Sequence, residues 1–222
     1  GKDMEVEHNA HEHNTMHTYF LLDRTGSMSS LKKAVEDGYE SYIKEQQATK
    51  GTMYLTVAQF DSDDPFEVVI ESKEIQSAPR RLANYQPRSM TPLYDAIDRT
   101  INYAERTSDG SPDVVIVVFT DGHENASRKA TRQSVFNKIE EKKKRGWTFV
   151  FLGANIDSYA TGGSMGYSAG STMNYAPTKA GLDYGWGTVS KAMLNQRVAR
   201  ARKDYTSADR MAAAASFFDG AK

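Results

Sequence analysis

The sequence contains no cysteine, which excludes a disulfide framework and any zinc site built on thiolates. It also lacks an apolar run of the roughly 20 residues that a membrane-spanning helix requires. Neither charge is in excess, with 28 Lys and Arg against 29 Asp and Glu, so bulk charge predicts no attraction to nucleic acid or membrane. No basic-then-apolar leader is recognisable. These absences favour a cytoplasmic location, or a virion if the chain is encoded by a phage.

The 222 residues are enough for one sizeable α/β domain with its own core. Residues 1–15 are polar and rich in histidine, which indicates a disordered leader or a cloning remnant, or alternatively a histidine tract that binds metal. Residues 16–203 form the predicted domain. Residues 204–222 are a tail with a short apolar segment that could pack on the domain or insert into a partner.

Short apolar runs alternate with helical patterns along the domain, which is typical of a doubly wound parallel sheet with helices on both faces. Two of the runs are joined by a short acidic turn, which favours one antiparallel edge strand. After a first strand that ends at Asp23, the predicted strands are 52–60, 66–71, 114–120, 147–152 and 172–175. The predicted helices are 29–47, 92–107, 131–145 and 177–203.

The first strand stops abruptly on Asp23, and hydroxyls follow at Thr25 and Ser27. Alternate side chains of an extended turn share one side, so all three can point toward one spot. One carboxylate and two hydroxyls are hard oxygen donors, suited to Mg²⁺, Mn²⁺ or Ca²⁺. The pattern predicts part of a cation site where an open α/β sheet places its ligands.

Two further segments can complete such a site. Asp121 ends the apolar strand 114–120 in the same way, and Thr91 lies in a polar loop just before a helix that starts with proline. Asp23, Thr25, Ser27, Thr91 and Asp121 together make a constellation of three hydroxyls and two carboxylates.

Three motifs carry a resemblance to a known family. They are Asp-x-Thr-x-Ser at 23–27, Thr-Pro-Leu-Tyr-Asp-Ala at 91–96 and Phe-Thr-Asp-Gly at 119–122. In this order they resemble the metal-ion-dependent adhesion site of von Willebrand factor A domains, in a stand-alone bacterial or phage form, over roughly residues 17–200. The family usually has serine where this chain has Thr25, which keeps the hydroxyl.

The resemblance implies a Rossmann-like fold and a function without catalysis. It implies that Thr25, Ser27 and Thr91 ligate Mg²⁺ (or Mn²⁺ or Ca²⁺) directly, whereas Asp23 and Asp121 act mostly through water. A Glu or Asp side chain of a partner protein would then take the open coordination position. The expected function is a metal-dependent protein-binding module, with the oligomeric state left open.

Two other classes of protein remain possible on the residues alone. A magnesium-dependent hydrolase or phosphotransferase could use the same aspartates with His123 as its base. A structural assembly subunit of a phage or an ATPase complex is the other alternative. A phosphate-loop motif is absent from the sequence.

Two charged segments are predicted to be solvated surface. The turn 61–65 carries three aspartates and is interpreted as a hairpin turn rather than as a second metal site. The basic end of the last helix, which includes Arg197, is interpreted as a solvated face, with docking of an acidic partner as the alternative.

Overall fold

The computed structural model describes residues 15–49, 51–83, 85–121, 124–154, 172–175 and 179–200. Most of the predicted leader, the apolar tail and His123 lie outside the described residues. The strands in this part of the chain are β1 Met16–Asp23, β2 Met53–Phe60, β3 Glu67–Glu74, β4 Val114–Thr120, β5 Thr148–Ala154 and β6 Thr172–Tyr175. The α-helices are α1 Lys32–Gln47, α2 Leu93–Thr107, α3 Arg132–Lys144 and α4 Lys179–Arg200. None of these helices has both the length and the apolar character needed to cross a membrane.

The strands form one sheet in the order β3-β2-β1-β4-β5-β6. β1 lies inside the sheet and is parallel to both of its neighbours, β2 and β4. β5 and β6 continue the parallel arrangement, whereas β3 pairs antiparallel with β2 at one edge. The predicted mostly parallel sheet with one antiparallel edge strand is therefore confirmed. Because the chain proceeds outward from β1 and from β4 in opposite directions, the topological switch point lies between these two strands.

Successive side chains of the central strands point to opposite faces of the sheet, so one apolar run contributes to two cores. On β1, Phe20 and Leu22 pack in the cluster formed with α1 and α4. Tyr19 and Leu21 pack in the second cluster, formed with α2 and α3. Every residue of β1 and of β4 is buried, which explains why the sequence of β4 is unbroken apolar up to its final threonine.

The helices α1 and α4 approach closely because Gly38 of α1 has no side chain. Trp186 of α4 lies over this glycine, and a β-carbon added there would fall 2.0 Å from Trp186 Cδ1. The indole also stacks on Phe119 of β4, with 4.5 Å between the ring centroids. Gly38 therefore lets Trp186 reach the sheet and fix α4 to the core.

Arg197, near the end of α4, is buried rather than solvated. Its guanidinium donates to the backbone oxygens of Gln46, Thr49 and Gly51 at 2.6, 2.9 and 2.7 Å. These oxygens lie at and just after the C-terminal end of α1, where helix carbonyls have no intrahelical partner. The prediction of a solvated face is wrong for Arg197, because this cation satisfies the end of another helix.

Candidate metal centre

Two aspartates meet where neighbouring parallel strands end. β1 ends at Asp23, and Asp121 directly follows the last residue of β4. Both lie at the carboxyl edge of the sheet, at its switch point. Oδ2 of Asp23 accepts hydrogen bonds from the hydroxyl of Thr120 at 2.7 Å and from the backbone N–H of Asp121 at 3.3 Å. The Asp23 carboxylate therefore joins the two strand ends directly.

The turn after β1 brings its hydroxyls to the same place. The backbone N–H of Thr25 donates to Asp23 Oδ1 at 2.7 Å and folds the turn back toward the carboxylate. The hydroxyl oxygen of Ser27 lies 3.3 Å from that of Thr25 and donates to Asp121 Oδ1 at 2.7 Å. We call Asp23, Thr25, Ser27 and Asp121 the oxygen cluster. The structure thus brings together four of the five residues that the sequence predicts for the site.

The oxygen cluster is buried on the side of the sheet and open at its outer end. Asp23, Thr25 and Asp121 are buried, whereas Ser27 is exposed. Ser27 lies in a 3₁₀ turn, Gly26–Leu31, so α1 begins three residues later than the sequence pattern predicts. An outside ligand could therefore approach the cluster from the Ser27 side.

The loop that carries Thr91 contacts the turn of the oxygen cluster through backbone hydrogen bonds and not through the Thr91 hydroxyl. The N–H of Gly26 donates to Ser89 O at 3.0 Å, and the N–H of Arg88 donates to Arg24 O at 2.9 Å. Thr91 is buried, but its hydroxyl has no hydrogen-bond partner among the residues that the structure describes. The fifth predicted residue therefore lies on a loop that contacts the turn of the cluster, without a direct bond to the other four.

The loop after β4 positions Thr91, and sequence reasoning did not assign this role to it. The side-chain oxygen of Asn125 accepts from the N–H of Thr91 at 2.8 Å, and the N–H of Asn125 donates to Thr91 O at 3.0 Å. Glu124 Oε1 accepts from the N–H of Tyr94 at 2.9 Å, which satisfies a donor in the first turn of α2. The available signal was the proximity of these two polar residues in the sequence to Asp121, the aspartate that follows β4.

Asp61 connects the turn after β1 to the loop that carries Thr91. Its Oδ2 accepts from Arg24 Nε at 2.9 Å and from Arg88 Nε at 2.8 Å. Its other oxygen accepts two backbone N–H groups of its own turn. The prediction of a solvated acidic turn is therefore wrong for Asp61, which is fully buried. Like Asp121 it directly follows a strand, and this position was the signal that could have identified it.

The carboxylates of the oxygen cluster lie close together, and no Lys, Arg or His of the described residues pairs with either of them. Burial, together with a smaller effect of the charge of Asp121, raises the pKa of Asp23 to about 6, against the hydrogen bonds from Thr25 and Thr120. Burial also raises the pKa of Asp121 above its ordinary value. Arg24 does not offset these charges, because its guanidinium is directed to Asp61. A cation held here would favour the ionised form of both carboxylates.

The chemistry of the oxygen cluster fits a hard divalent cation, because Mg²⁺, Mn²⁺ and Ca²⁺ prefer carboxylate, hydroxyl and water oxygens. Hydroxyl and water ligands leave more positive charge for an outside oxygen than a site rich in carboxylates would. Across the parts of the chain described above, no group of three or more His, Asp or Glu side chains is placed to hold a metal. The oxygen cluster, with its two carboxylates, is the candidate centre.

The comparison with protein families gives one match to this chain. The model of the von Willebrand factor type A domain matches residues 18–183. No curated protein sequence matches the chain.

Solved structures of low sequence identity share the fold. The pilus adhesin SpaC from Lactobacillus rhamnosus GG has a TM-score of 0.65 at 12% identity, covering 83% of this chain and 31% of that one. A von Willebrand factor type A protein from Catenulispora acidiphila has a TM-score of 0.59 at 10% identity, covering 82% of this chain and 43% of that one. The manganese-loaded TRAP protein of Plasmodium vivax has a TM-score of 0.50 at 13% identity, covering 77% of this chain and 72% of that one.

This chain spans less than half the length of the first two of these proteins. The family match covers most of the chain, including the ends of both strands that meet at the oxygen cluster. The chain therefore belongs to the von Willebrand factor type A domain family.

Proposed function

We propose that this chain is a protein-binding module that captures a Glu or Asp side chain of a partner through a divalent cation held at the oxygen cluster. The observation that carries this proposal is the continuous set of contacts from Asp23 through Thr25 and Ser27 to Asp121. It gathers hard oxygen donors from two strand ends, and its outer member is exposed. Mg²⁺ is the proposed cation, with Mn²⁺ or Ca²⁺ as alternatives.

Each residue has a defined role in this proposal. Ser27, Thr25 and Thr91 supply hydroxyl ligands, and Asp23 and Asp121 act through water and balance the charge. Asp23 also orients the turn, because it accepts the N–H of Thr25. A bound divalent cation supplies a positive centre that an outside carboxylate can ligate. Binding of this kind needs no general base, so the proposal assigns no residue a catalytic role.

The comparisons support a role in protein binding, but they do not test the cation or the carboxylate of the partner. SpaC is named as a pilus adhesin, and the TRAP structure is named as manganese-loaded. Both names are statements about those proteins, whose likeness to this chain at 12% and 13% identity concerns the fold. The step from fold to function rests on the oxygen cluster of this chain.

The first test is thermal unfolding with Mg²⁺ or with EDTA, for the wild type and the Ser27→Ala variant. A ligand that binds only the native state raises the unfolding midpoint. We expect a rise with Mg²⁺ in the wild type and a smaller one or none in Ser27→Ala, with each rise measured from that protein's own midpoint in EDTA. Ser30→Ala, an exposed serine of the same 3₁₀ turn, should retain the full rise.

The second test addresses capture of a carboxylate. A peptide with a single Glu between glycines should show line broadening in its NMR spectrum when the protein and Mg²⁺ are present, and none with EDTA or with Ser27→Ala. The matched Gln peptide is the control. Equal broadening of the Glu and Gln peptides would overturn the proposed mode of capture.

A further inference from the structure

A groove of about 300 Å³ lies between the β2–β3 turn, α2 and the loop after β4. Its floor includes Asp95, which is four residues beyond Thr91. A chain of four residues spans at most about 14 Å, so the groove lies within that distance of the proposed ligand Thr91. The residues that line it are Pro65, Asp95, Asp98, Arg99, Arg128 and Lys129.

The two acidic side chains of the groove already have partners within the fold. The Asp95 carboxylate accepts the backbone N–H groups of Arg128, Lys129 and Ala130 at 2.7, 3.1 and 2.7 Å. The Asp98 carboxylate forms an ion pair of 2.6 Å with Lys138 of α3. Asp98 is therefore balanced by Lys138, whereas Asp95 keeps its negative charge beside Lys129.

The three cations of the groove are exposed, and none of the described acidic residues forms an ion pair with them. Arg99, Arg128 and Lys129 form no ion pair or side-chain hydrogen bond in the described part of the chain. The guanidinium of Arg99 lies 6.0 Å from the centre of the Phe66 ring, which supports it from one side. Because the cations of the groove outnumber its carboxylates and Asp98 is paired with Lys138, the groove carries net positive charge within about 14 Å of Thr91.

We infer that this groove binds acidic residues of the same partner protein that offers its carboxylate to the metal, a few residues away from that carboxylate. This inference rests on the proposed function, because it extends one binding surface. Arginine and lysine pair with carboxylates, and these cations are close enough to the centre for one extended segment to reach both.

A protein partner is favoured over nucleic acid by the composition of the groove. Its three cations share the lining with two carboxylates, and none of the described lining residues is aromatic. Binding of single-stranded nucleic acid typically uses a positive groove with aromatic rings on which bases stack. The arrangement suits one or two carboxylates better than a run of phosphates.

The test uses a fluorescein-labelled hexaglutamate peptide, with its dissociation constant measured by anisotropy in Mg²⁺ and in EDTA. The double variant Arg128→Ala with Lys129→Ala removes two side chains and keeps the backbone bonds to Asp95. We expect it to bind hexaglutamate about threefold to tenfold more weakly than the wild type in both buffers. The difference should shrink at high salt, because the cations are exposed.

The matched control is Lys44→Ala with Lys73→Ala, which changes the net charge equally at exposed positions on α1 and β3. Its affinity should equal that of the wild type. If both double variants weaken binding equally, or neither does, the inference is overturned. If Mg²⁺ has no effect in the wild type while the groove variant still weakens binding, the metal-dependent function fails and the groove stands. Tighter binding of an oligothymidine that displaces the peptide would overturn the assignment to a protein partner.

Discussion

The guanidinium of Arg24 and the carboxylate of Asp61 form an ion pair of 2.9 Å in which the side chains are 3% and 0% exposed. Arg88 donates to the same oxygen of Asp61 at 2.8 Å. Arg24 belongs to the turn of the oxygen cluster, and Arg88 belongs to the loop of Thr91. One buried carboxylate therefore connects the two loops on which the candidate centre depends.

Replacing Asp61 with alanine should destabilise the protein and weaken the centre. The change leaves the buried Arg24 without its main partner, and breaking a buried pair in this way costs about 3–5 kcal/mol. Urea unfolding should show a loss of this size, and the Mg²⁺-dependent rise in midpoint should shrink. Asp63→Ala removes a half-exposed aspartate of the same turn and should change the free energy of unfolding by less than about 1 kcal/mol. Equal losses in both variants would contradict the role given to Asp61.

Asn125→Ala should weaken Mg²⁺ binding more than it weakens the fold. The side chain accepts the N–H of Thr91, and loss of one such bond at an exposed residue costs about 1 kcal/mol of stability. Titration calorimetry with Mg²⁺ should show a lower affinity than in the wild type. Asn137→Ala, at an exposed position of α3, should bind Mg²⁺ with unchanged affinity. An unchanged affinity in Asn125→Ala would show that the position of Thr91 does not matter for the cation.

The stability contributed by Asp95 should disappear in acid. Burial raises the pKa of its carboxyl, but the backbone N–H groups of residues 128–130 lower it more, so the pKa lies below its ordinary value. A carboxyl with a lowered pKa in the folded state stabilises the protein above the unfolded value of about 3.9 and loses this effect as the pH falls through the folded value.

For Asp95→Asn we therefore expect a free energy of unfolding below that of the wild type at about pH 7, and a gap that narrows as the pH falls below about 4. Urea unfolding at a series of pH values measures this gap. If the difference in free energy of unfolding between the wild type and Asp95→Asn did not change with pH, the charge of Asp95 would not contribute to stability.

Two helical glycines should respond to alanine in opposite directions. At Gly38 a β-carbon would fall 2.0 Å from Trp186, so Gly38→Ala should destabilise the protein by about 1–3 kcal/mol. At Gly187 no atom lies within 4 Å of the added carbon, so Gly187→Ala should stabilise α4 by about 0.5–1 kcal/mol. Guanidinium unfolding of the two variants checks both signs. Stabilisation by Gly38→Ala would show that α1 and α4 pack less closely than described.

The features that could be predicted from the sequence are those that depend on residues close to one another along the chain. Asp23 and Asp121 stand out because an apolar run stops on each, and the parallel sheet follows from strands that are apolar on both faces. Asp61 carries the same signal, but the aspartates beside it are typical of a solvated turn. Its burial depends on Arg24, 37 positions away, and no local pattern encodes that contact.

The roles of Asn125 and Arg197 were also not predicted, because they too depend on contacts between residues far apart in the sequence. The hydrogen bonds that Asn125 makes with Thr91 join residues 34 positions apart, on two loops that only the fold brings together. An arginine near the end of a helix is usually solvated, and the sequence does not show that Arg197 meets carbonyl groups 146 to 151 positions earlier. Both roles become visible only once the sheet order is known.

The bonds of Arg197 to the end of α1 also bear on where the folded unit stops. The family match ends at residue 183, before both Trp186 and Arg197. A protein shortened to that point would expose the Phe119 face of β4 to water and leave the carbonyl groups after α1 without their donor. The smallest fragment worth producing for crystallisation or partner screening therefore extends beyond Arg197, past the last residue of the family match.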